Sequence, residues 1–324
     1  MSTLFRSRIS LAKQCSALFF VCLAAVLSLG SVPVNADPAP RPVGTVVAWG
    51  ASKANEAGIP AGLTDVVAIS ARFETCLALK RDGTVVAWRT DNYNQAPVPA
   101  SLSGVTAISA GGEHNLALKS DGTVVAWGSD KYGQATVPAG LAGVVAIAAG
   151  EEHSLALKHN GTVVAWGDNR VGQASVPADL SGVIAIAGGM RHSLALKSDG
   201  TVVAWGDHDS PAVDVPRGLS HVSAIAAGLD YSVALKSDGT VVAWGMYLAG
   251  LPVYATDLPP SSIAAITGGL RHCVAVKRDG SVVDWGDIYE NWRQMPALSE
   301  LRNVLAAASC GDYILGLVAA PKSP

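Results

Sequence analysis

Residues 144–167 read VVAIAAGEEHSLALKHNGTVVAWG, and this stretch recurs six times along the chain. Its last part, GTVVAWG, also appears once more at Gly44. The tryptophan that ends each copy marks the period, because five spacings of 39 residues are followed by one of 41. A period near 40 residues made of short strands is typical of a β-propeller, in which each repeat forms one blade. The tryptophans are Trp49, Trp88, Trp127, Trp166, Trp205, Trp244 and Trp285.

Each repeat divides into three predicted strands. In the copy above they are Val144–Ala149, His153–Lys158 and Thr162–Trp166. Asn160-Gly161 separates the second strand from the third, and Asp-Gly takes its place in five other repeats. These dipeptides predict a type I′ hairpin turn, which needs two residues with positive φ.

The third strand of each repeat is apolar on both of its faces. Val163 and Ala165 alternate with Val164 and Trp166. A strand that is apolar on both sides is covered on both sides, as it is when each blade is packed between two others. We therefore predict that the repeat tryptophans belong to the core and do not form a ligand site.

The two ends of the repeat region complement each other. Val304–Ser309 and Tyr313–Val318 supply two strands without a third, and Gly44–Trp49 is a third strand without its two partners. Their pairing removes the exposed edges that an open array would carry. The sequence thus predicts an all-β, seven-bladed β-propeller over residues 44–318, with about three strands per blade, followed by a tail at 319–324.

The N-terminal segment has the pattern of an export signal. Three basic residues precede the apolar segment Ser16–Gly30, and Val34-Asn35-Ala36 fits a small-residue cleavage site. We expect residues 1–36 to be a signal peptide, residues 37–43 to be a short linker, and the mature chain to be secreted or periplasmic. The alternative is an N-terminal anchor that is not cleaved.

The net charge and the cysteine count limit the classes of partner and indicate what stabilises the fold. The net charge is −3, and removal of residues 1–36 takes away three basic and no acidic residues, which makes it −6. An acidic chain is a poor candidate for binding nucleic acid. Cys76, Cys273 and Cys310 are too few for a disulfide framework, so repeat packing must stabilise the fold. We expect a monomer that has no membrane contact after cleavage.

The repeats resemble two related families. GxxHSLALKSDGTVVAWG followed by GDNxxGQ resembles the regulator of chromosome condensation repeat. The shorter period, three strands per repeat and a VPA connector are similar to the family of the type II beta-lactamase inhibitor protein, an exported bacterial seven-bladed propeller. This resemblance covers Gly44–Val318 and implies binding to class A beta-lactamases through a face rich in aromatic loop residues.

Strand direction divides the loops between two faces. The loops between the first and second strands (the GxxH loops) and the starts of the connections after each tryptophan share one face, here called the GxxH face. Their residues differ from repeat to repeat, whereas the opposite face is nearly constant. Variable loops on a constant scaffold indicate a binding surface, with neutral drift of exposed loops as the alternative.

We expect the GxxH face to bind a protein partner, with exposed aromatic residues as anchors and Trp292 foremost among them. The candidate binding residues are Phe73, Glu74, Tyr93, Glu113, Tyr132, Glu152, Arg170, Arg191, Asp230, Tyr247, Arg271, Tyr289 and Trp292.

Four histidines occupy one repeat position, which suggests two interpretations. They could form a ring of metal ligands, or they could make hydrogen bonds. Other repeats have Thr75, Tyr231 or Tyr313 at this position, and these residues share hydrogen bonding rather than metal affinity. We therefore expect bonds to the backbone and no metal. The histidines are His114, His153, His192 and His272.

An enzyme is the competing class of function. Carboxylates on neighbouring blades could support a secreted carbohydrate-active hydrolase or lyase. Their exposed loop setting favours solvated charge over a raised pKa. The sequence has no phosphate loop, metal-ligand spacing or nucleophile arrangement, so we expect no cofactor and no catalysis. The carboxylates in question are Glu151, Glu152, Asp168 and Asp207.

Overall fold

A computed structural model of the chain shows an all-β architecture. Among the described residues the one helical element is a 3-10 turn at Pro211–Val213. No helix in this part of the chain is long and apolar enough to span a membrane. The structure describes residues 42–50, 58–89, 96–246, 262–286, 302–310 and 313–319.

The strands follow one another in threes after β1 (Gly44–Gly50), and the structure ends on a pair, β20 (Val304–Cys310) and β21 (Tyr313–Ala319). Repeats 1 to 3 are β2 (Val66–Arg72), β3 (Thr75–Lys80) and β4 (Val85–Arg89); β5 (Val105–Ala110), β6 (His114–Lys119) and β7 (Val124–Gly128); β8 (Val144–Ala149), β9 (His153–Lys158) and β10 (Val163–Gly167). Repeats 4 to 6 are β11 (Val183–Gly188), β12 (His192–Lys197) and β13 (Val202–Gly206); β14 (Val222–Ala227), β15 (Tyr231–Lys236) and β16 (Val241–Gly245); β17 (Ile263–Gly268), β18 (His272–Lys277) and β19 (Val282–Gly286).

Repeats 2 to 6 each form a three-stranded antiparallel sheet. A sixth sheet has the order β20-β21-β1-β2-β3-β4 and so joins the two ends of the described chain. Within it β1 pairs with β21 from Gly44↔Ala319 to Gly50↔Tyr313, while β1 meets β2 only at Gly44↔Val66. Strands β20, β21 and β1 therefore correspond, in this order, to the first, second and third strands of one repeat.

The predicted strands agree closely with the observed ones. In repeat 3 the first two strands coincide with the prediction, and the third runs one residue later, at Val163–Gly167. The first strand also contains a β-bulge that the sequence did not reveal, since Val144 pairs with Lys158 but Ala146 pairs with Leu157. The bulge adds one residue, Val145, whose side chain is 55 % exposed.

The core lies between neighbouring sheets. Trp166 of repeat 3 packs with Leu116 and Leu118 of repeat 2 in one buried cluster, together with Ile147 of its own repeat. The same arrangement recurs at each junction between repeats 1 and 5. Six of the repeat tryptophans are buried and Trp285 is partly buried, which confirms their predicted core role.

The hairpin turn differs from the predicted type I′ turn, and that prediction is wrong. Only the glycine of each turn has positive φ (Gly161, +78°), and Asn160 does not. Gly161 donates to the carbonyl of Lys158, and Lys158 donates to Thr162, which describes a three-residue loop that ends in a left-handed glycine. The Asn160 side chain accepts a hydrogen bond from the Thr162 N–H, and this bond favours the observed loop.

Candidate functional site

A chain of hydrogen bonds joins repeats 2, 3, 4 and 5 in succession below the GxxH face. His153 Nε2 lies 2.9 Å from Ser193 Oγ of the next repeat, and Ser193 donates to the carbonyl of Gln173 in the connection between them. His114 with Ser154 and His192 with Ser232 repeat this arrangement. We call it the histidine–serine relay.

The relay fixes the histidine tautomer. A hydroxyl has one hydrogen, and that of Ser193 goes to the Gln173 carbonyl, so its oxygen must accept from His153 Nε2–H. The prediction of a hydrogen-bonding role is thus confirmed, but the partner is a serine hydroxyl and not the backbone. Tyr231, which replaces histidine in repeat 5, does bond to the backbone, at the carbonyls of Gly269 and His272.

Burial keeps the relay histidines neutral. It lowers the pKa of His114 and His272 to about 4 and that of His153 and His192 to about 3. Within the described residues no group of three His, Cys, Asp or Glu side chains is placed to hold a metal ion.

The relay also explains the glycine of GxxH. A Cβ at Gly150 would lie far inside contact distance of the His153 ring, and the same clash recurs at the other relay histidines. Repeat 1 is the exception, because Arg72 stands at the glycine position and the short Thr75 at the histidine position. The smaller Thr75 side chain leaves room for a large one at residue 72.

The Arg72 side chain extends through this space and contacts repeat 4. Its Nη1 donates to the carbonyl of Gly188 in repeat 4, 116 residues away, at 3.0 Å. Its Nε and Nη2 are buried and have no hydrogen-bond partner among the described residues. Burial lowers the pKa of Arg72, and the negative charge of Glu151 opposes that effect. The next residue, Phe73, has a positive φ of 49°, a strained conformation for a bulky residue.

On the GxxH face, the connection after the tryptophan is bonded to the GxxH loop of the same repeat in repeats 2 to 5. Asp168 N–H donates to the Glu152 carbonyl, and Asp207 N–H donates to the Arg191 carbonyl. These bonds place the two kinds of variable loop side by side. The structure therefore brings together loops that strand direction assigned to one face.

The most organised group on this face combines two repeats. The Arg170 guanidinium lies 4.4 Å from the centre of the Tyr132 ring. Its Nε bonds to Asp168 at 2.8 Å, and its Nη2 bonds to Asp168 and to Glu152, both at 3.0 Å. Lys131 lies over the same ring at 4.8 Å. We call Tyr132, Arg170, Asp168 and Glu152 the Tyr132–Arg170 cluster.

The carboxylates of this region differ in their surroundings. Burial alone would raise the pKa of Asp168, but bonds from Arg170 and Gln173 lower it. Burial raises the pKa of Glu151. Burial also raises the pKa of Asp230, and the nearby Arg191 opposes that effect.

The predicted binding residues fall into three groups. Tyr132, Glu152 and Arg170 form one cluster, as described above. Phe73, Glu74, Glu113, Arg191, Asp230 and Arg271 lie in GxxH loops, where Glu113 and Arg191 are exposed and the others are partly buried. Four predicted residues lie outside the described part of the chain: Tyr93, Tyr247, Tyr289 and Trp292.

Sequence reasoning missed Arg72, the relay serines and the Gln134 and Gln173 carbonyls. The serine follows the histidine position of the next repeat by one residue, so a histidine and a serine 40 residues apart were the available signal. Arg72 could have been found as the one charged residue at a position that five repeats fill with glycine.

Comparison with known sequences gives a partial match. The family model described as the regulator of chromosome condensation (RCC1) repeat matches residues 105–134, 144–173, 183–210 and 222–246. These four segments correspond to repeats 2 to 5. No curated protein matches the chain.

Several solved structures share the fold. Prp20p from Saccharomyces cerevisiae, described with its binding to Gsp1p and histones, has a TM-score of 0.68 at 18% identity over 92% of this chain and 94% of its own. Yeast RCC1 (Prp20) bound to Kap60 gives 0.66 at 18% over 99% and 97%. The ectodomain of the Physcomitrella patens receptor kinase CR4 gives 0.62 at 22% over 79% and 71%. Repeats 2 to 5 are thus similar to the regulator of chromosome condensation repeat, and the fold of the chain resembles that of the RCC1-type structures.

Proposed function

We propose that this chain is a closed seven-bladed propeller whose GxxH face binds a protein, without catalysis. The pairing of β1 with β21 supports closure, since it completes a three-stranded unit from the two ends of the chain. Contacts of β20 with β2 of repeat 1 and with β17 and β18 of repeat 6 also support closure, with that unit between the first and last repeats.

The Tyr132–Arg170 cluster is the observation that carries the proposal. Tyrosine and arginine are the residue types most enriched among interface residues that dominate binding energy. Here the arginine is 63 % exposed as a side chain, yet it is held by two carboxylates and an aromatic ring. Side chains ordered before binding lose little conformational entropy when a partner docks.

The charges on the GxxH face indicate which charge a partner would need to complement it. Glu74, Glu113 and Glu152 occupy the same loop position in repeats 1 to 3. A partner with a basic patch flanking an apolar or aromatic anchor would complement these repeats, and complementary charge speeds association.

Protein binding is also the property named for the structural relatives. The descriptions of Prp20 concern binding to Gsp1p and histones and a complex with Kap60. The carboxylate hydrolase alternative is less favoured, because Asp168 binds Arg170 and Gln173 through both oxygens and Glu152 binds Arg170. The bonds from Arg170 and Gln173 lower the pKa of Asp168, so this carboxylate is not available as a proton donor.

The test compares the two faces of the propeller. The mature chain captures its partner from cell-envelope and medium fractions, and the affinity is then measured for Tyr132→Ala and for Lys119→Ala. Lys119 lies beside the Asp-Gly turn of the opposite face, where it pairs with Asp121. We expect Tyr132→Ala to weaken binding by at least ~2 kcal/mol, about thirtyfold in Kd. Equal affinities for both variants would contradict the assignment of the face.

We propose a beta-lactamase or penicillin-binding enzyme as the first partner class to test, on the resemblance in repeat length and connector. Among the GxxH positions only Phe73 is aromatic, so the contacts would differ from those of the inhibitor family. The assay adds the mature chain to purified class A enzymes and measures hydrolysis. Unchanged rates at micromolar chain would remove this class while leaving protein binding open to the capture experiment.

Such a partner requires export of this chain. We propose cleavage after Ala36 and a secreted or periplasmic mature protein that begins at Asp37. N-terminal sequencing of the exported product tests this directly, and recovery of the intact chain from the cytosol would contradict it.

A further inference from the structure

Arg72 presents an unused binding edge inside the ring of GxxH loops. Its Nη1 is engaged by the Gly188 carbonyl, and its Nε and Nη2 are buried without partners among the described residues. In a guanidinium the Nε–H and the adjacent Nη2–H point in the same direction and match the two oxygens of a carboxylate. A buried donor pair without acceptors costs free energy, which a fitting ligand would recover.

The surroundings leave the charge of Arg72 poorly compensated. Its facing titratable groups include His114, His153 and His192, which burial keeps neutral. Glu151 acts on it through space but makes no hydrogen bond to it. The Tyr231 hydroxyl, also near, is engaged by backbone carbonyls. A second anion is therefore favoured at this position.

A small cavity lies beside Arg72. Arg72 lines it together with Phe73, Leu229, Leu270 and Ser309, and the space available is about 10 Å³. That is about the room one water needs, so a carboxylate enters only when the partly exposed side chains of Phe73, Leu229 or Leu270 shift. Phe73 at its edge has the strained φ of 49°, and such strain concentrates at ligand sites.

We propose that the Nε–Nη2 edge of Arg72 binds one carboxylate, supplied either by a small free acid or by an acidic side chain of a docked protein. The guanidinium holds both oxygens, and the apolar side chains of Phe73, Leu229 and Leu270 exclude water from the ion pair. Desolvated pairs of this geometry are stronger than exposed ones. The proposal is independent of the proposed protein partner, because the free acid binds the isolated chain.

The test follows the Arg72 Nε–Hε signal by NMR on the isolated mature chain labelled with ¹⁵N-arginine. Formate is titrated at constant ionic strength, with chloride as the charge control. We expect a saturable shift of this one signal with formate and not with chloride. Formate at ten times its dissociation constant should also raise Tm by roughly 3–5 °C. N-acetyl-aspartate amide, a side-chain mimic, shows whether a protein carboxylate can also enter.

Matched variants distinguish the effect of the paired Nε–H and Nη2–H donors of Arg72 from the effect of its positive charge. Arg72→Lys keeps the positive charge but removes the paired donors, and should lose the formate-dependent rise in Tm. Arg217→Lys, at an exposed connector, should keep it. If Arg72→Lys fails to fold, the wild-type NMR titration still decides. No shift with formate up to 0.1 M, or an equal shift with chloride, would overturn the proposal.

Discussion

Repeats 1 and 3 have equivalent strands, but each contacts the repeat that follows it through different side chains. At the junction that follows repeat 3, Gly150, His153 and Ser193 form the histidine–serine relay. At the junction that follows repeat 1, the equivalent residues are Arg72, Thr75 and Asn115, and the relay is absent. Three exchanges at linked positions thus replace the neutral relay with a buried cation.

The difference shows which residues support the packing between repeats and which are free to vary. The relay uses the glycine and histidine of GxxH, the serine of the next repeat and a connector carbonyl, so the side chains of the two residues between glycine and histidine take no part in it. Those two positions hold most of the predicted binding residues. Buried polar atoms without a partner among the described residues occur with the relay, at Nδ1 of His114, His153 and His192, and also without it, at Arg72 and Asn115 Oδ1. What distinguishes the junction after repeat 1 is that its unpaired group carries a positive charge.

The largest expected effect on the relay is that of pH. The relay histidines have folded pKa values of about 3 to 4, against about 6.5 when unfolded. The unfolded chain therefore binds more protons below pH 6.5, so stability is full above that value and falls as the pH drops toward 4. Each histidine should cost about 2 kcal/mol between pH 6.5 and 5.

Urea denaturation at pH 7.5 and pH 5 measures this loss. The matched variant is His153→Gln, whose amide can still donate to Ser193 but does not titrate. Its loss between the two pH values should be smaller than that of the wild type by about 2 kcal/mol. Identical pH dependence in the two proteins would show that His153 is not buried as a neutral group.

Removal of a repeat tryptophan should come next in size. Trp166→Ala should lower the free energy of unfolding by ~3–5 kcal/mol, because it empties a buried position between repeats 2 and 3. Trp166 Nε1 also donates to the Gln134 carbonyl, the acceptor that Ser154 shares. Trp166→Phe keeps most of the packing and isolates that bond. A loss below ~1 kcal/mol for Trp166→Ala would place the ring outside the core.

The relay itself should contribute less than the tryptophan. Ser193→Ala leaves His153 Nε2–H and the Gln173 carbonyl without their partner, which should cost ~1–3 kcal/mol. Ser181→Ala, an exposed serine in the preceding connection, should change stability by less than ~0.5 kcal/mol. If Ser193→Ala and Ser181→Ala have the same free energy of unfolding, the hydrogen bonds of the relay do not contribute to stability.

Sequence pattern predicted the repeat architecture because period, turn glycines and apolar strands are local signals that recur. It placed both strands of the hairpin His153–Trp166 within one residue. It did not reveal the bulge at Val145, since an extra residue in one strand shows only against its partner strand. The relay joins side chains 40 residues apart, and the contact from Arg72 to Gly188 spans 116, so neither follows from the pattern of one repeat.

For the site, strand direction predicted that the variable loops lie on one face, but it could not predict which of their side chains contact one another. Tyr132 and Arg170 come from different repeats, and their stacking depends on how two connections lie together. The prediction for Trp292 lies outside the described residues and stays a prediction. Its test is the same affinity measurement, with Trp292→Ala expected to weaken binding by at least ~2 kcal/mol.

The smallest expected effect concerns the face on which repeats 1 and 3 are alike. Both turns place positive φ on the glycine alone, Gly83 and Gly161. Asn160→Gly should therefore destabilise the chain by less than ~1 kcal/mol, because it adds backbone freedom and removes the bond to Thr162. Gly161→Ala should cost somewhat more, since alanine resists positive φ and its Cβ would lie 3.3 Å from Val183 N. Chemical denaturation of both variants measures the difference. A type I′ turn would require positive φ at residue 160 and would make Asn160→Gly neutral or stabilising, so a gain in stability would restore that turn.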